Sequence, residues 1–309
     1  MDNTSRLICS IVGAIGCSTN GFAIFIIFNL QNRYSTTNLL ISNQCIIDFF
    51  ASLTSLCIFL DPHLMTRLPE SNVASLFVCK FWSSKYIFWS TTYASTTNLL
   101  VLTVDRYFAV THPLKYNILK EKARIKVLLL TIPWVCGFGF ICQWLFSYSV
   151  KNKKCIQNWP SVGYHKAFAC LCFVYILIIP IIVILFVYFN IFRTLQKRVA
   201  DGSSMENASS TARRLNIVKT MMIVGVTYVI CWAPTEICYI YFTFDGDIDF
   251  NSPIHYITVA MSLCINPIIY TFKYNDFRLG LQKTLPCLKH RTTSEQIILS
   301  GTVSANVVL

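Results

Sequence analysis

The stretch FVYILIIPIIVILFVYF, Phe173–Phe189, carries no charge and no polar stripe at helical spacing. A helix on the surface of a water-soluble domain turns a polar face to solvent and an apolar face to the core. A segment without that division has no face for water, and its natural surroundings are lipid. Apolar residues continue around it from Ala167 to Phe192, more than the ~20 residues needed to cross roughly 30 Å of hydrocarbon. Six further runs of this kind stand at Leu7–Leu30, Asn38–Leu60, Phe81–Leu102, Val127–Phe146, Ile217–Phe242 and Ile254–Phe272. The 309-residue chain is 54% hydrophobic and 13% charged, against roughly 25% charged in an ordinary soluble domain. The expected fold is an all-α integral membrane protein. Seven transmembrane helices fill residues 7–272, after a short N-terminal segment, 1–6. An amphipathic surface helix, 273–288, and a disordered tail, 289–309, follow.

Lysine and arginine accumulate on the cytosolic side of such proteins. Eighteen of the 26 fall on one side: Arg33, the group from Arg106 to Lys126, the group from Arg193 to Lys219, and the tail from Lys273 onward. The amino terminus is therefore expected outside the plasma membrane and the tail in the cytosol. The net charge of +12 is expected to meet anionic lipid headgroups rather than nucleic acid. MDNTSRLI leads straight into the first run, which is expected to serve as its own insertion signal.

Most of the fourteen cysteines lie inside the runs as small apolar residues. Cys79 and Cys155 stand near outer ends, where an oxidising compartment permits a bridge, and they are expected to form one. Asn3-Thr4-Ser5 is a candidate glycosylation sequon on the outer side. Cys287 is a candidate palmitoylation site. In the amphipathic stretch Tyr274–Leu288, the phenylalanine and leucines are expected to face lipid while Arg278 and Lys283 meet headgroups. Val199–Ala212 (VADGSSMENASSTA) reads as a mobile linker. No internal repeat is present, which removes support for an inverted-repeat transporter.

Polar groups inside hydrocarbon are costly, and each is a functional candidate. Asp48 and Asn20 are mid-run, Ser95 lies about three turns before Arg106, and Ser262 and Asn266 are four apart on one helical face. Together Asp48, Ser95, Ser262 and Asn266 offer the oxygen ligands a small cation such as Na⁺ prefers. The same residues also fit a hydrogen-bonded polar core with no ion. Pro180, Pro234 and Pro267 interrupt three runs, and each removes a backbone hydrogen bond.

The run Phe81–Leu102 ends in TVDRYFAV, Thr103–Val110, where acid, base and phenol stand side by side. With its neighbours this stretch carries a family likeness. Asn20 falls in helix one, Asp48 in helix two, Asp105-Arg106-Tyr107 closes helix three and Trp134 falls in helix four. Pro180 and Tyr188 mark helix five, Cys231-Trp232-Ala233-Pro234 helix six and Asn266-Pro267-Ile268-Ile269-Tyr270 helix seven, with Phe277 in the surface helix. From about Asn20 to Leu288 the chain resembles a rhodopsin-like (class A) G-protein-coupled receptor. The resemblance implies that an extracellular agonist shifts the bundle to a state that activates a heterotrimeric G protein, with arrestin a further partner. It implies that Asp105 holds Arg106 at rest and that opening frees Arg106 toward Tyr188, Tyr270 and the G protein. Pro113-Leu114 resembles the point where an apolar residue enters the G protein.

Departures from the pattern stand out. Gln44-Cys45 replaces a small apolar pair, and Tyr228 replaces a phenylalanine one turn below Trp232. Arg214 stands where some relatives have an acid that clamps the arginine, which implies agonist-free signalling with Asp105 as the local restraint. Cys79 precedes Arg106 by 27 residues, two more than the family spacing, so that either the top of helix three is bulged or the loop is longer.

No acid lies between Phe81 and Val104, where an amine receptor needs one, and no lysine between Asn251 and Phe272, where retinal would attach. The basic loop Lys151–Lys154, the acidic loop Asp245–Asp249 and the short third cytosolic loop point to a peptide agonist, with a lipid or other small molecule as the alternative. The ligand pocket is expected to hold Lys85, Phe88, Trp89, Trp232, Glu236, Tyr239 and Tyr256. Glu236 is expected to pair with Lys85 in the empty pocket and with a cationic agonist group in the filled one. A transporter or channel would need a chain of ionisable groups through the bundle, where only Asp48 and Glu236 are deep. An enzyme would need a nucleophile with its base or clustered metal ligands, but His63, His112, His165, His255 and His290 are scattered.

Overall fold

The computed structural model describes residues 3–60, 68–200, 208–245, 253–273 and 275–284. Its seven long helices are Asn3–Phe28, Thr36–Leu60, Tyr86–Thr111, Ala123–Ile141, Val162–Ala200 in three segments, Ala208–Asp245 and Pro253–Lys273. Neighbouring helices pack one to two, two to three, three to four and three to five. Helix five then packs on six, six on seven, and seven back on one. Five of the seven are long and apolar enough to cross a membrane by length and hydropathy alone. Helix three is rich in Ser and Thr yet mostly buried, because it runs through the middle of the bundle and meets protein where the outer helices meet lipid. Gly137 permits one of its close approaches. A Cβ there would stand 2.5 Å from the Ser90 carbonyl oxygen of helix three.

The helices outrun the apolar runs, because a helix continues through polar residues beyond the hydrocarbon. Helix one begins at Asn3, so residues 3–6 of the short N-terminal segment are helical. Helix three continues to Thr111, which puts Asp105-Arg106-Tyr107 inside the helix and not at its close. Helices five and six extend to Ala200 and from Ala208, so the linker expected over Val199–Ala212 is helical at both ends. Residues 201–207, the loop 246–252, Cys287 and the tail lie outside the described residues. The surface helix is Asn275–Thr284, and here the expected orientation is corrected: Phe277 is buried, and a Cβ on Gly280 would stand 2.6 Å from Leu30 Cδ2. The helix packs this face on helix one, leaving Arg278, Leu279 and Lys283 outward.

The extra residues before helix three are absorbed in place. Val78–Ser83 forms a π-helical turn, which holds more residues per turn than an α-helix, and Lys85 adopts the left-handed region at φ 59°. Cys79 in the π turn is bonded to Cys155, with Cα atoms 5.3 Å apart. Cys155 lies on a hairpin of Tyr148–Lys151 and Lys154–Gln157. Asn152 and Lys153, at φ 49° and 57°, make its two-residue turn, whose positive φ angles suit the twist of paired strands. The loop Lys151–Lys154 is thus the tip of a tethered hairpin.

The prolines also find local solutions. Proline has no N–H, so the carbonyl four residues earlier loses its partner. For Pro180 that carbonyl belongs to Ile176, inside the π segment Val174–Ile178, and the Tyr228 hydroxyl of helix six donates to it at 2.6 Å. For Pro267 it belongs to Leu263, and Asn20 of helix one donates to it at 3.0 Å. Neighbouring helices therefore serve the carbonyls that Pro180 and Pro267 free. Helix four holds a further proline, Pro133.

Two outcomes follow from these contacts. Cys79→Ser, Cys155→Ser and the double variant should lower stability by one common amount, about 2–5 kcal/mol. A double variant clearly weaker than either single one in thermal unfolding would contradict a shared bond. Tyr228→Phe should cost about 1–3 kcal/mol, because it strands a buried carbonyl, and Thr96→Val, which removes only the other hydroxyl partner of Tyr228 at 3.0 Å, should cost less.

Candidate functional site

Three polar centres lie along the bundle. The middle one is built on Asp48, which has no exposed surface. Ser95 of helix three donates to it at 2.6 Å and Asn266 of helix seven at 2.9 Å. Gln44, one turn back on helix two, donates its amide N–H to both carboxylate oxygens at 3.0 and 3.1 Å and to Ser95 Oγ at 2.6 Å. The Gln44 carbonyl accepts from Asn98 at 2.8 Å. Asn98 in turn accepts from Asn43 at 2.8 Å, and Asn43 accepts from the Trp134 indole at 3.1 Å. Ser262 turns away: its hydroxyl donates to the Val259 carbonyl at 2.6 Å. Of the expected oxygen cluster, Ser95 and Asn266 thus contact Asp48 and Ser262 does not. The amides Asn43 and Asn98 were legible as polar residues within apolar runs, and Gln44 as a departure from the family pattern.

The second centre is Arg106. It forms an ion pair with Asp105, the only one among the described residues, with Nε donating at 3.0 Å. It also donates to Thr37 of helix two, and to the Tyr116 hydroxyl at 3.2 Å. Tyr116 lies on a short helix, Pro113–Leu119, and donates in turn to Asp105 at 3.0 Å. Burial pushes the Tyr116 phenol up to about 12, with the nearby Arg106 charge pulling the other way, so it remains protonated and able to donate. Asp105 is therefore not the sole restraint on Arg106. Thr37 and Tyr116 share it, and neither carries a motif that would have announced it. The hydroxyls of Tyr188 and Tyr270 are buried and have no hydrogen-bond partner among the described residues. Leu114, beside Pro113, is 81% exposed. The side chain of Arg214 lies outside the described residues.

The third centre, near the disulfide end, is a small cavity of about 20 Å³. Trp89, Tyr93, Trp144, Thr235, Glu236 and Tyr239 are among its walls. Glu236 is buried, and its Oε2 has no hydrogen-bond partner among the described residues. The expected pair with Lys85 is not formed. The left-handed turn at Lys85 directs its ammonium to Tyr256, where it donates to the hydroxyl and lies 4.2 Å from the ring centroid. Tyr256 also meets Phe88 and Trp89, each at 6.4 Å between ring centroids. Lys85, Phe88, Trp89 and Tyr256 thus form one cluster, and Trp89, Glu236 and Tyr239 line one cavity. Trp232 is separate, deeper, and beside Tyr228 with ring centroids 6.0 Å apart. Tyr93 and Trp144 were missed, since an aromatic in an apolar run gives no sign of which way it faces. Asn3, the sequon residue, is exposed and accepts from Arg6 at 3.4 Å.

Comparison with known proteins bears on this arrangement. The profile of the 7 transmembrane receptor (rhodopsin family) matches residues 19–270. Galanin receptor 2b of Danio rerio is 28% identical over 298 residues, covering 91% of this chain and 75% of the relative. The allatostatin-A receptor of Bombyx mori is 25% identical over 300 residues, covering 89% and 78%. Melanopsin-A of Danio rerio is 28% identical over 303 residues, covering 90% of this chain and 49% of that protein. The profile match spans most of the chain and takes in the Asp48, Arg106 and Glu236 centres alike, and the chain belongs to the rhodopsin family of seven-transmembrane receptors.

Proposed function

We propose that the chain is a receptor for an extracellular peptide, which enters at the disulfide end and releases Arg106 at the other end to a heterotrimeric G protein. The observation that carries the reading is the latch on Arg106. The guanidinium is held by Asp105, Thr37 and Tyr116, while two buried tyrosine hydroxyls, Tyr188 and Tyr270, have no hydrogen-bond partner among the described residues. That is a resting arrangement with the opposite arrangement already provided for. Exposed Leu114 suits insertion into the G protein. The bias of positive charge supports the orientation with the Arg106 end in the cytosol and the amino terminus outside.

A peptide agonist is supported by the relatives, receptors for galanin and allatostatin-A. It is supported also by the lysine-rich hairpin tip at the mouth. Glu236, whose Oε2 has no hydrogen-bond partner among the described residues and which is walled by Trp89, Tyr93, Trp144 and Tyr239, suits a cationic group of the agonist such as an arginine or an amino terminus. The melanopsin likeness does not carry a light-sensing reading here, because no lysine stands between Asn251 and Phe272 to hold a retinal.

The test is nucleotide exchange on purified Gα subunits of each family, driven by a peptide library. A peptide should promote exchange, and Glu236→Gln should reduce its potency by more than about tenfold at equal surface expression, as losing a buried charge pair of roughly 2–5 kcal/mol implies. Potency unchanged within about threefold would remove Glu236 from the contacts. Without agonist, Tyr116→Phe should raise basal exchange by loosening the latch, and Arg214→Glu should lower it by restoring the acid that clamps the arginine in some relatives. Equal basal exchange in all three proteins would show that the latch does not set the resting state.

A further inference from the structure

In this family the buried acid of helix two, with hydroxyl and amide oxygens around it, implies a bound sodium ion. The residues present do not fit one. A cation needs oxygen lone pairs directed at it, but two of the groups facing Asp48 present N–H: Gln44 at 3.0 and 3.1 Å and Asn266 at 2.9 Å. Ser95 Oγ receives the Gln44 amide at 2.6 Å and donates to Asp48 at 2.6 Å. Ser262 is turned to the Val259 carbonyl. The gap enclosed by Gln44, Ser95, Trp232, Ser262 and Asn266 is about 10 Å³, at the lower limit of the roughly 10–15 Å³ that one water needs.

The direction of the Gln44 amide is not an arbitrary choice between O and N. It is dictated from the far side of helix three. An indole N–H can only donate, so the Trp134 indole requires the Asn43 oxygen to face it, at 3.1 Å. The Asn43 NH₂ then faces the Asn98 oxygen at 2.8 Å, and the Leu130 backbone carbonyl at 3.3 Å anchors the same orientation. The Asn98 NH₂ is anchored independently by the Leu40 carbonyl at 3.1 Å, and it faces the Gln44 oxygen at 2.8 Å. Only the NH₂ of Gln44 is left for Asp48. Gln44, Asn98 and Asp48 are all buried, so water cannot reverse the sequence.

We propose that the Gln44 amide replaces the cation at Asp48, so that the resting state of this receptor is held by a donor relay from Trp134 and is insensitive to sodium. The test needs no agonist. The full-length receptor, purified in detergent, is heated in sodium chloride or in potassium chloride at equal ionic strength, and unfolding is followed by tryptophan fluorescence. The native receptor should unfold at the same temperature in both salts. Gln44→Met keeps the volume and removes the donor, and it should gain a saturable, sodium-specific rise, about 2–4 °C when sodium exceeds its Kd tenfold. Gln44→Leu is the second variant should the first not fold. A saturable sodium-specific rise in the native receptor that Asp48→Asn abolishes would overturn the proposal. So would a native receptor and both folded Gln44 variants that are equally blind to sodium, because Gln44 would then not be what excludes the ion.

Discussion

A carboxylate with no exposed surface must be hydrogen-bonded from within the protein, or the cost of burying it has no offset. Asp48 sets that requirement for the middle of this bundle. Its donors come from its own helix, from helix three and from helix seven. Through the amides behind Gln44 the demand extends to Trp134 on helix four. Four helices are thereby held in one register by groups that are each satisfied only if the next is in place. Polar networks of this kind specify a unique arrangement more than they add stability, since an interior of matched apolar residues would pack as well.

The prolines pose the complementary problem, an acceptor with no donor. Ile176 and Leu263 each lose the N–H that an unbroken helix would supply, and each is served from a neighbouring helix. The pairing explains why Tyr228 is tyrosine: a phenylalanine has no hydroxyl to give to helix five. It also makes the interface of helices five and six conditional. Any movement of helix six away from helix five would leave the Ile176 carbonyl to find another donor or stand bare, so such a movement would carry a cost.

Much of the fold was legible, because apolar runs of membrane length admit few alternatives. Spans and helices agree in number and in their middle residues. They disagree at their ends, where hydropathy stops at the headgroups and the helix does not, as at Thr111. The two-residue excess before helix three was visible by counting. Whether it would become a longer loop or a widened turn depended on Cys79 being pinned to the hairpin. Of the site residues with motifs, Asn266 contacts Asp48 and Asp105 pairs with Arg106, although Asp105 lies inside helix three and not at its close. Lys85 was misread because it was counted within the third apolar run, whereas the backbone breaks at this residue and helix three begins at Tyr86. Thr37 and Tyr116 were missed because a threonine at the start of one helix and a tyrosine within a short one have no distinguishing pattern, and their role exists only once three elements meet.

In the proposed mechanism the two ends of the molecule would communicate through groups that have two possible partner sets. To turn a population from 1:99 to 99:1, a ligand must prefer the second state by about 5.5 kcal/mol. Hydrogen bonds to a charged group contribute about 1.5–3 kcal/mol each. Arg106 makes them to Asp105, Thr37 and Tyr116, so breaking the latch outright would cost more than a modest agonist preference could supply. The cost falls if Arg106 gains new acceptors as it leaves the old ones, and Tyr188 and Tyr270 provide hydroxyls for that. Tyr270 follows Asn266 by one turn on helix seven, and Asn266 donates to Asp48. A shift of helix seven at Asp48 therefore moves a receiving group for Arg106. The contact to the buried acid and the hydroxyl offered to the arginine are thus one helical turn apart, with no need for a longer path between them.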